Sequence, residues 1–222
     1  MIKNNLLKYL KYIQNNEKNY GSFYNASIRK QNHIYIKPSG IDANKLKKKD
    51  IAKVYFNNKI SKSISGLKPS VDYHFHKEIY LNFKNINSVI HTHFKYSTIW
   101  AQSLKPIPIY GTTHADHFKK EIPITKQINP KKDKDYDNEL SNSIIEVIKN
   151  YHQSNLPGLL IANHGMISLG TNIEQAFENL FLIEFIAELA LFTNRGKKIK
   201  SSKKLYKFHF LRKNGINKFY GQ

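Results

Sequence analysis

The chain has no cysteine among its 222 residues. That excludes a disulfide framework and any thiolate metal site, leaving histidine and carboxylate as the ligands a metal could use. Long apolar runs are missing too. Nothing approaches the ~18 consecutive residues that span a bilayer, and Met1 to Leu10 is interrupted by polar residues, without a secretory apolar core or a small-residue cleavage site. This stretch reads as an amphipathic first helix, and a soluble cytoplasmic protein with no membrane partner is the expectation. Linkers, repeats and low-complexity blocks are also lacking. Residues 1–222 are therefore expected to form a single domain, and 40% hydrophobic content suffices for one substantial core.

Acidic residues are scarce, 16 against 36 basic ones, for a net charge of +20. Such a balance suits nucleic acid in principle. Here the lysines are spread among asparagine, isoleucine and tyrosine, the clusters Lys47-Lys48-Lys49 and Lys197-Lys198 are short, and no recognition motif accompanies them. No nucleic-acid partner is expected, although the field should draw anionic small molecules, less so at high salt.

What the chain does have is histidine in suggestive places. Ser88-Val89-Ile90 leads into His91-Thr92-His93 like a buried strand, and residues two apart on a strand share a face. Both imidazoles can then reach one ion. His164, after Leu159-Leu160-Ile161-Ala162, completes a three-nitrogen set with an open position. Imidazole ligands accept zinc, manganese, cobalt or iron. Asp72-Tyr73-His74-Phe75-His76 repeats the spacing, but Asp72 reads as the N-cap of a helix, where positions i and i+2 point about 200° apart. His74 and His76 are not expected to share an ion. In His114-Ala115-Asp116-His117, which lies in a polar segment after Gly111, Asp116 is a candidate acid/base and both histidines stay unassigned.

Along the chain, the first helix should end near Asn15 to Lys18, and Gly21 to Arg29 reads as irregular. His33 to Ile36 reads as a strand stopping at Lys37-Pro38-Ser39-Gly40. That turn leaves a lysine, a hydroxyl and a glycine amide together, an anion cradle. Ile51–Phe56 and Lys59–Ile64 read as strands joined by Asn57-Asn58. Tyr96 to Gln102 looks helical, and so does Asp137 to Tyr151, with Leu140, Ile144, Ile145 and Ile148 at helical spacing. Asn172 should cap a long helix through Phe192, too apolar for a surface helix and so expected against the sheet or a subunit neighbour. The fold class is α/β, three α/β/α layers around a mixed sheet.

Taken in order, these pieces resemble the class II aldolase/epimerase family over nearly the whole chain. The residues that carry the resemblance are Asn25-Ala26-Ser27, Ile36 to Gly40, Pro69-Ser70-Val71-Asp72, His91-Thr92-His93, Ser97 to Gln102, Gly111 to Asp116, and His164-Gly165 with Gly170. Leu211 to Gly215 and Tyr220-Gly221-Gln222 are similar to the family's pentulose-phosphate epimerases in particular. The resemblance implies a largely antiparallel central sheet and a cyclic homotetramer with active sites shared between subunits. It implies that His91, His93 and His164 bind a zinc-like divalent ion, with Asp72 as an acidic residue at the metal. Asn25, Lys37, Ser39, Gly40, Ser70 and the Val71 backbone would surround a substrate phosphate. Asp116 and Tyr220 would form an acid/base pair from the adjacent subunit.

The implied reaction interconverts L-ribulose 5-phosphate and D-xylulose 5-phosphate, as in arabinose catabolism, by retro-aldol cleavage and re-addition through an enediolate. The alternative is an aldolase releasing dihydroxyacetone phosphate and an aldehyde. Asp72 stands where the family's aldolases tend to have glutamate, which favours the epimerase. Tyr24 replaces a usual glycine, Val71 a usual serine and Asp137 a usual glutamate; Asp137 is given no role.

Overall fold

The computed structural model describes residues 1–16, 23–57, 60–61, 63–129, 133–151, 156–193, 202–216 and 218. Its elements run α1 (Ile2–Asn16), β1 (Tyr24–Lys30), β2 (His33–Ile36), β3 (Ala52–Tyr55), β4 (Ile60–Ser61), α2 (Tyr73–Asn82), β5 (Ser88–Thr92) and α3 (Lys95–Gln102). Then follow α4 (Thr112–His117), α5 (Asp133–Asn150), β6 (Gly158–Ile161), β7 (Gly165–Gly170), α6 (Ile173–Thr193) and α7 (Lys203–Asn214). The strands form one seven-stranded sheet in the order β4-β3-β2-β1-β5-β7-β6. Every pairing of neighbouring strands is antiparallel, and one isolated parallel bridge, Ile124 to Leu160, adds the mixed character at the β6 side.

The register sorts the two faces. Asn25 pairs with His91 and Ser27 with Val89, and His91 in turn with Ile167, so these side chains share one face. Helix α2 covers it, with Phe75 edge-on to the His91 ring and His76 bonded to Ser27, and α5 packs on α2. The opposite face carries Tyr24, whose hydroxyl donates to the Leu10 carbonyl of α1, and Ser168, whose hydroxyl donates to the Ala176 carbonyl of α6. Helix α3 joins that layer through the Trp100 indole, which donates to the Ala187 carbonyl. The three expected layers are thus present.

Most elements form where the pattern places them. Leu6, Leu10 and Ile13 recur at helical spacing and are wholly buried on the inner side of α1. Asn172 caps α6 as expected, its side-chain oxygen accepting from the Gln175 amide at 2.8 Å. One side of α6 buries Ile173, Ala176, Leu180, Ile183 and Ile186, while Phe185, Leu189 and Phe192 remain about half exposed.

Three expectations need correction. The Gly21 to Arg29 stretch is not irregular from Tyr24 onward; it is β1, an interior strand. Its Tyr-Asn-Ala-Ser-Ile sequence hides the strand signal because Asn25 and Ser27, inward-facing and buried, are polar. The strand expected over Lys59–Ile64 reaches only Ile60–Ser61 among the described residues, with Ser63 and Ile64 outside it; the polar segment after Gly111, to which no element was assigned, forms α4. Asp72 occupies the N-cap position of α2 but its side chain makes no capping bond; it is drawn elsewhere. No helix of the described residues is long and apolar enough to cross a membrane.

The core also traps histidines. Burial drives wholly enclosed His76 down to about 3 and His114 down to about 4, so the folded chain holds both neutral. Below about pH 6.5 the unfolded chain takes up protons that the native one refuses. Stability is therefore complete above that pH and declines as pH falls toward 4, each group steepening the slope by up to about 1.4 kcal/mol per pH unit. Denaturant midpoints between about pH 7 and 4.5 should fall continuously; a flat profile would contradict the neutral burial of these rings.

Candidate functional site

Strand β5 carries His91 in its interior and ends at Thr92, so His93 lies just beyond the last paired residue. The reversal from β6 to β7 brings His164: Asn163 adopts φ 59°, a left-handed conformation that asparagine tolerates, and the His164 amide donates to the Ile161 carbonyl at 3.0 Å. The Nε2 atoms of His93 and His164 each lie 3.1 Å from Nε2 of His91. The ligand atoms of all three fall within 4.8 Å of one another.

Protonation of the set follows from its contacts. His91 Nδ1 lies 2.9 Å from the Met166 carbonyl oxygen. A carbonyl only accepts, so Nδ1 carries the hydrogen, and Nε2 of the neutral ring presents a bare lone pair to the other two rings. Burial, then the neighbouring imidazoles, hold His91 well below its ordinary value. Burial and His164 lower His93 to about 4. His164 is lowered by burial, with Asp72 pulling the other way. Three neutral nitrogens aimed at one point suit a divalent ion: tetrahedral Zn–N bonds of ~2.05 Å put ligand nitrogens about 3.3 Å apart. Gly165 leaves the room, since a Cβ there would meet the Thr92 carbonyl oxygen at 2.5 Å and His93 Cδ2 at 3.0 Å.

Asp72 lies within electrostatic reach of His164 in this trio. The Asn25 Nδ2 donates to Asp72 Oδ2 at 2.6 Å, a charge-assisted bond about twice as strong as a neutral one. Burial pushes the Asp72 carboxyl up from its ordinary range, while His164, Asn25 and Ser70 pull it back and Asp137 adds to the rise. The Asp72 amide reaches Ser70 Oγ at 3.4 Å, and the Ser70 amide donates to the Lys37 carbonyl at 3.0 Å. Pro38 and Pro69 bridge the same two segments, so Lys37, Ser39 and Ser70 come together. Lys37 is buried, with only 1% of its surface exposed. Its ammonium has the Pro38 carbonyl at a marginal 3.5 Å and the Tyr24 ring at 5.0 Å. Desolvation lowers it to about 8, against the pull of Asp42. Tyr24, the departure from the usual glycine, thus supplies a cation–π floor under the lysine. Gly40 takes φ 67°, left-handed and suited to glycine. Val71 points outward, 71% exposed, so any contribution at that position falls to its backbone.

Asp116 sits apart from these groups, buried between α4 and α7. His209 Nδ1 lies 2.9 Å and Arg212 Nε 3.5 Å from its Oδ1, and the side-chain Nδ2 of Asn214 donates to the Asp116 main-chain carbonyl at 2.8 Å. Arg212 lies within the Leu211 to Gly215 stretch that carries the resemblance, whereas His209 has no sequence signal beyond its place in a basic C-terminal segment. Tyr220 lies outside the described residues. Asp137 is exposed and faces His74 at 3.5 Å. His76 was the residue that sequence reasoning passed over. Its Nε2 is 2.6 Å from Asn25 Oδ1 and its Nδ1 is 2.7 Å from Ser27 Oγ.

The chain belongs to the class II aldolase and adducin N-terminal domain family, whose model matches residues 4–191. Similar solved structures include an L-fuculose 1-phosphate aldolase, at TM-score 0.78 and 23% identity over 94% of this chain and 93% of that one. Another is YgbL of Escherichia coli, at 0.76 and 17% over 94% and 97%. A third is the L-fuculose-1-phosphate aldolase of Thermus thermophilus, at 0.68 and 17% over 87% and 95%. At these identities the likeness is one of fold.

Purified protein should take up about one zinc or manganese ion per chain, and His91→Ala should abolish uptake. Gly165→Ala, by pressing on Thr92 and His93, should weaken metal affinity by about tenfold or more; calorimetric titration measures both. Inorganic phosphate should bind near Lys37 and weaken as pH rises through about 8, where the ammonium loses its proton. Lys37→Met should remove that pH dependence together with most of the binding.

Proposed function

We propose that the chain is a metal-dependent sugar-phosphate epimerase interconverting L-ribulose 5-phosphate and D-xylulose 5-phosphate, working in the cytoplasm as a homotetramer. The observation that carries this reading is the unbroken run of contacts from His91 through Asn25, Asp72 and Ser70 to Lys37. It supports reading the three histidines and the Lys37–Ser70 segment as parts of one site. A divalent ion held by His91, His93 and His164, zinc in the first instance, would supply Lewis acidity to the carbonyl and adjacent hydroxyl oxygens of the substrate.

The hydrogen on C4 is not acidified by a neighbouring carbonyl, so inversion by direct abstraction would demand an unrealistically strong base. Removing the C4 hydroxyl proton instead lets the C3–C4 electron pair move toward the C2 carbonyl while C4 becomes an aldehyde. Rotation of that aldehyde and re-addition inverts C4. Lys37, Ser39, Gly40, Ser70, the Val71 amide and Asn25 hold the phosphate, so the aldehyde fragment stays in place between the two steps. Asp116 and Tyr220, from a neighbouring subunit, take and return the hydroxyl proton on opposite faces. Asp72 stands by the metal ligands and orients the sugar hydroxyls, either at the ion or beside it.

A second reading is the aldolase, favoured by the names of the structural neighbours, L-fuculose 1-phosphate aldolases among them. The shorter carboxylate at Asp72 favours the epimerase. With L-ribulose 5-phosphate, coupled detection should show D-xylulose 5-phosphate accumulating. Free dihydroxyacetone and glycolaldehyde phosphate without epimer would replace the first reading with the second. Asp116→Asn should slow turnover by about a hundredfold with metal content unchanged; loss of the metal would contradict its placement away from the ligands.

A further inference from the structure

The inner face of the sheet holds a chain of hydrogen bonds that ends on Asp72. The Tyr80 hydroxyl lies 2.8 Å from Ser27 Oγ, Ser27 Oγ 2.7 Å from His76 Nδ1, His76 Nε2 2.6 Å from Asn25 Oδ1, and Asn25 Nδ2 2.6 Å from Asp72 Oδ2. Of these side chains Ser27, His76 and Tyr80 are wholly buried and Asn25 nearly so. Water therefore cannot substitute for a missing partner.

The direction of donation follows from the far end. An ionised carboxylate only accepts, so Asn25 must turn Nδ2 toward Asp72 and Oδ1 toward His76. A neutral imidazole has one N–H, and facing Oδ1 it must be on Nε2. Nδ1 is then the acceptor, taking the Ser27 hydroxyl hydrogen, and Ser27 Oγ is left to accept from Tyr80, whose single hydrogen also has the Ser27 carbonyl oxygen at 3.0 Å. From Ser27 to Asp72 each group has one compatible role, and these donors point toward Asp72. Burial keeps His76 neutral, which supports this assignment.

We propose that His76 is a positioning residue of the site: as the Nε2–H tautomer it locks the Asn25 carboxamide so that Asn25 offers N–H, never oxygen, toward Asp72 and the bound substrate. The second hydrogen of Asn25 Nδ2 is then presented to an oxygen acceptor of the ligand. The consequence is a site selective for an oxyanion such as phosphate, which rests on the reading that Asn25 contacts the substrate phosphate.

Two measurements test it without requiring turnover. Long-range proton–nitrogen spectra of the folded protein, with histidine nitrogen-labelled, at about pH 7.5 should show His76 protonated on Nε2 and bare on Nδ1. The opposite tautomer would overturn the proposal. Inorganic phosphate should bind His76→Leu about tenfold more weakly than the unaltered chain. His76→Gln, whose amide can still donate to Asn25 Oδ1, should recover most of that loss. Equal weakening in both variants, or no change in His76→Leu, would reduce His76 to a packing residue. If His76→Leu does not fold, the tautomer and the His76→Gln affinity still decide. A chain that shows the Nε2–H tautomer and binds phosphate yet turns over no sugar phosphate would defeat the proposed reaction and leave this role standing.

Discussion

The pairing of β1 with β5 is the contact on which the rest of the molecule depends. Its register sets Asn25 opposite His91 and Ser27 opposite Val89. A slip by one residue would turn each of these side chains to the other face of the sheet. The strand that carries His91 and the strand that orients Asp72 are therefore one unit. Strand β7 locks the other side of β5, with His91 opposite Ile167, so the ligand strand is held between two neighbours and has no freedom to shift.

This arrangement places polar side chains where a sheet normally has aliphatic ones. Buried hydroxyl, amide and imidazole groups cost about 1 to 3 kcal/mol each when left without a partner. On the β1 face under α2 each is met: Ser27 by His76 and Tyr80, Asn25 by His76 and Asp72. Helix α2 is accordingly a source of hydrogen-bond partners as much as an apolar cover, with Phe75 and Ile79 filling the space between them. The result is a polar seam inside the core whose members specify one another's orientation.

Much of the fold was legible because its signals are local. The periodicity of α1, α5 and α6, the cap at Asn172, and the run before His91 all report their own surroundings. The convergence of His91, His93 and His164 was legible for the same reason: each histidine ends or follows an apolar run. Strand β1 was not, since its inward positions Asn25 and Ser27 break the apolar alternation for the sake of the site. Asp72 was read correctly as the residue before a helix but not as the partner of Asn25, a contact formed across 47 positions of sequence. The pairing of Asp116 with His209 spans 93. His76, inside a helix whose other histidine faces Asp137, gave no local sign that it faced the sheet. Contacts of that range follow from topology, which spacing along the chain does not encode.

His91 and His164 meet across 73 positions of sequence, and only the assembled β5–β7 pair brings them together. An ion taken by that set binds the native chain and not the open one, so its binding free energy adds to folding stability as RT ln(1 + [ion]/Kd). Ligand affinity and resistance to unfolding are then a single thermodynamic quantity, and the supply of free ion would govern how long each copy of the chain lasts as well as whether it is loaded.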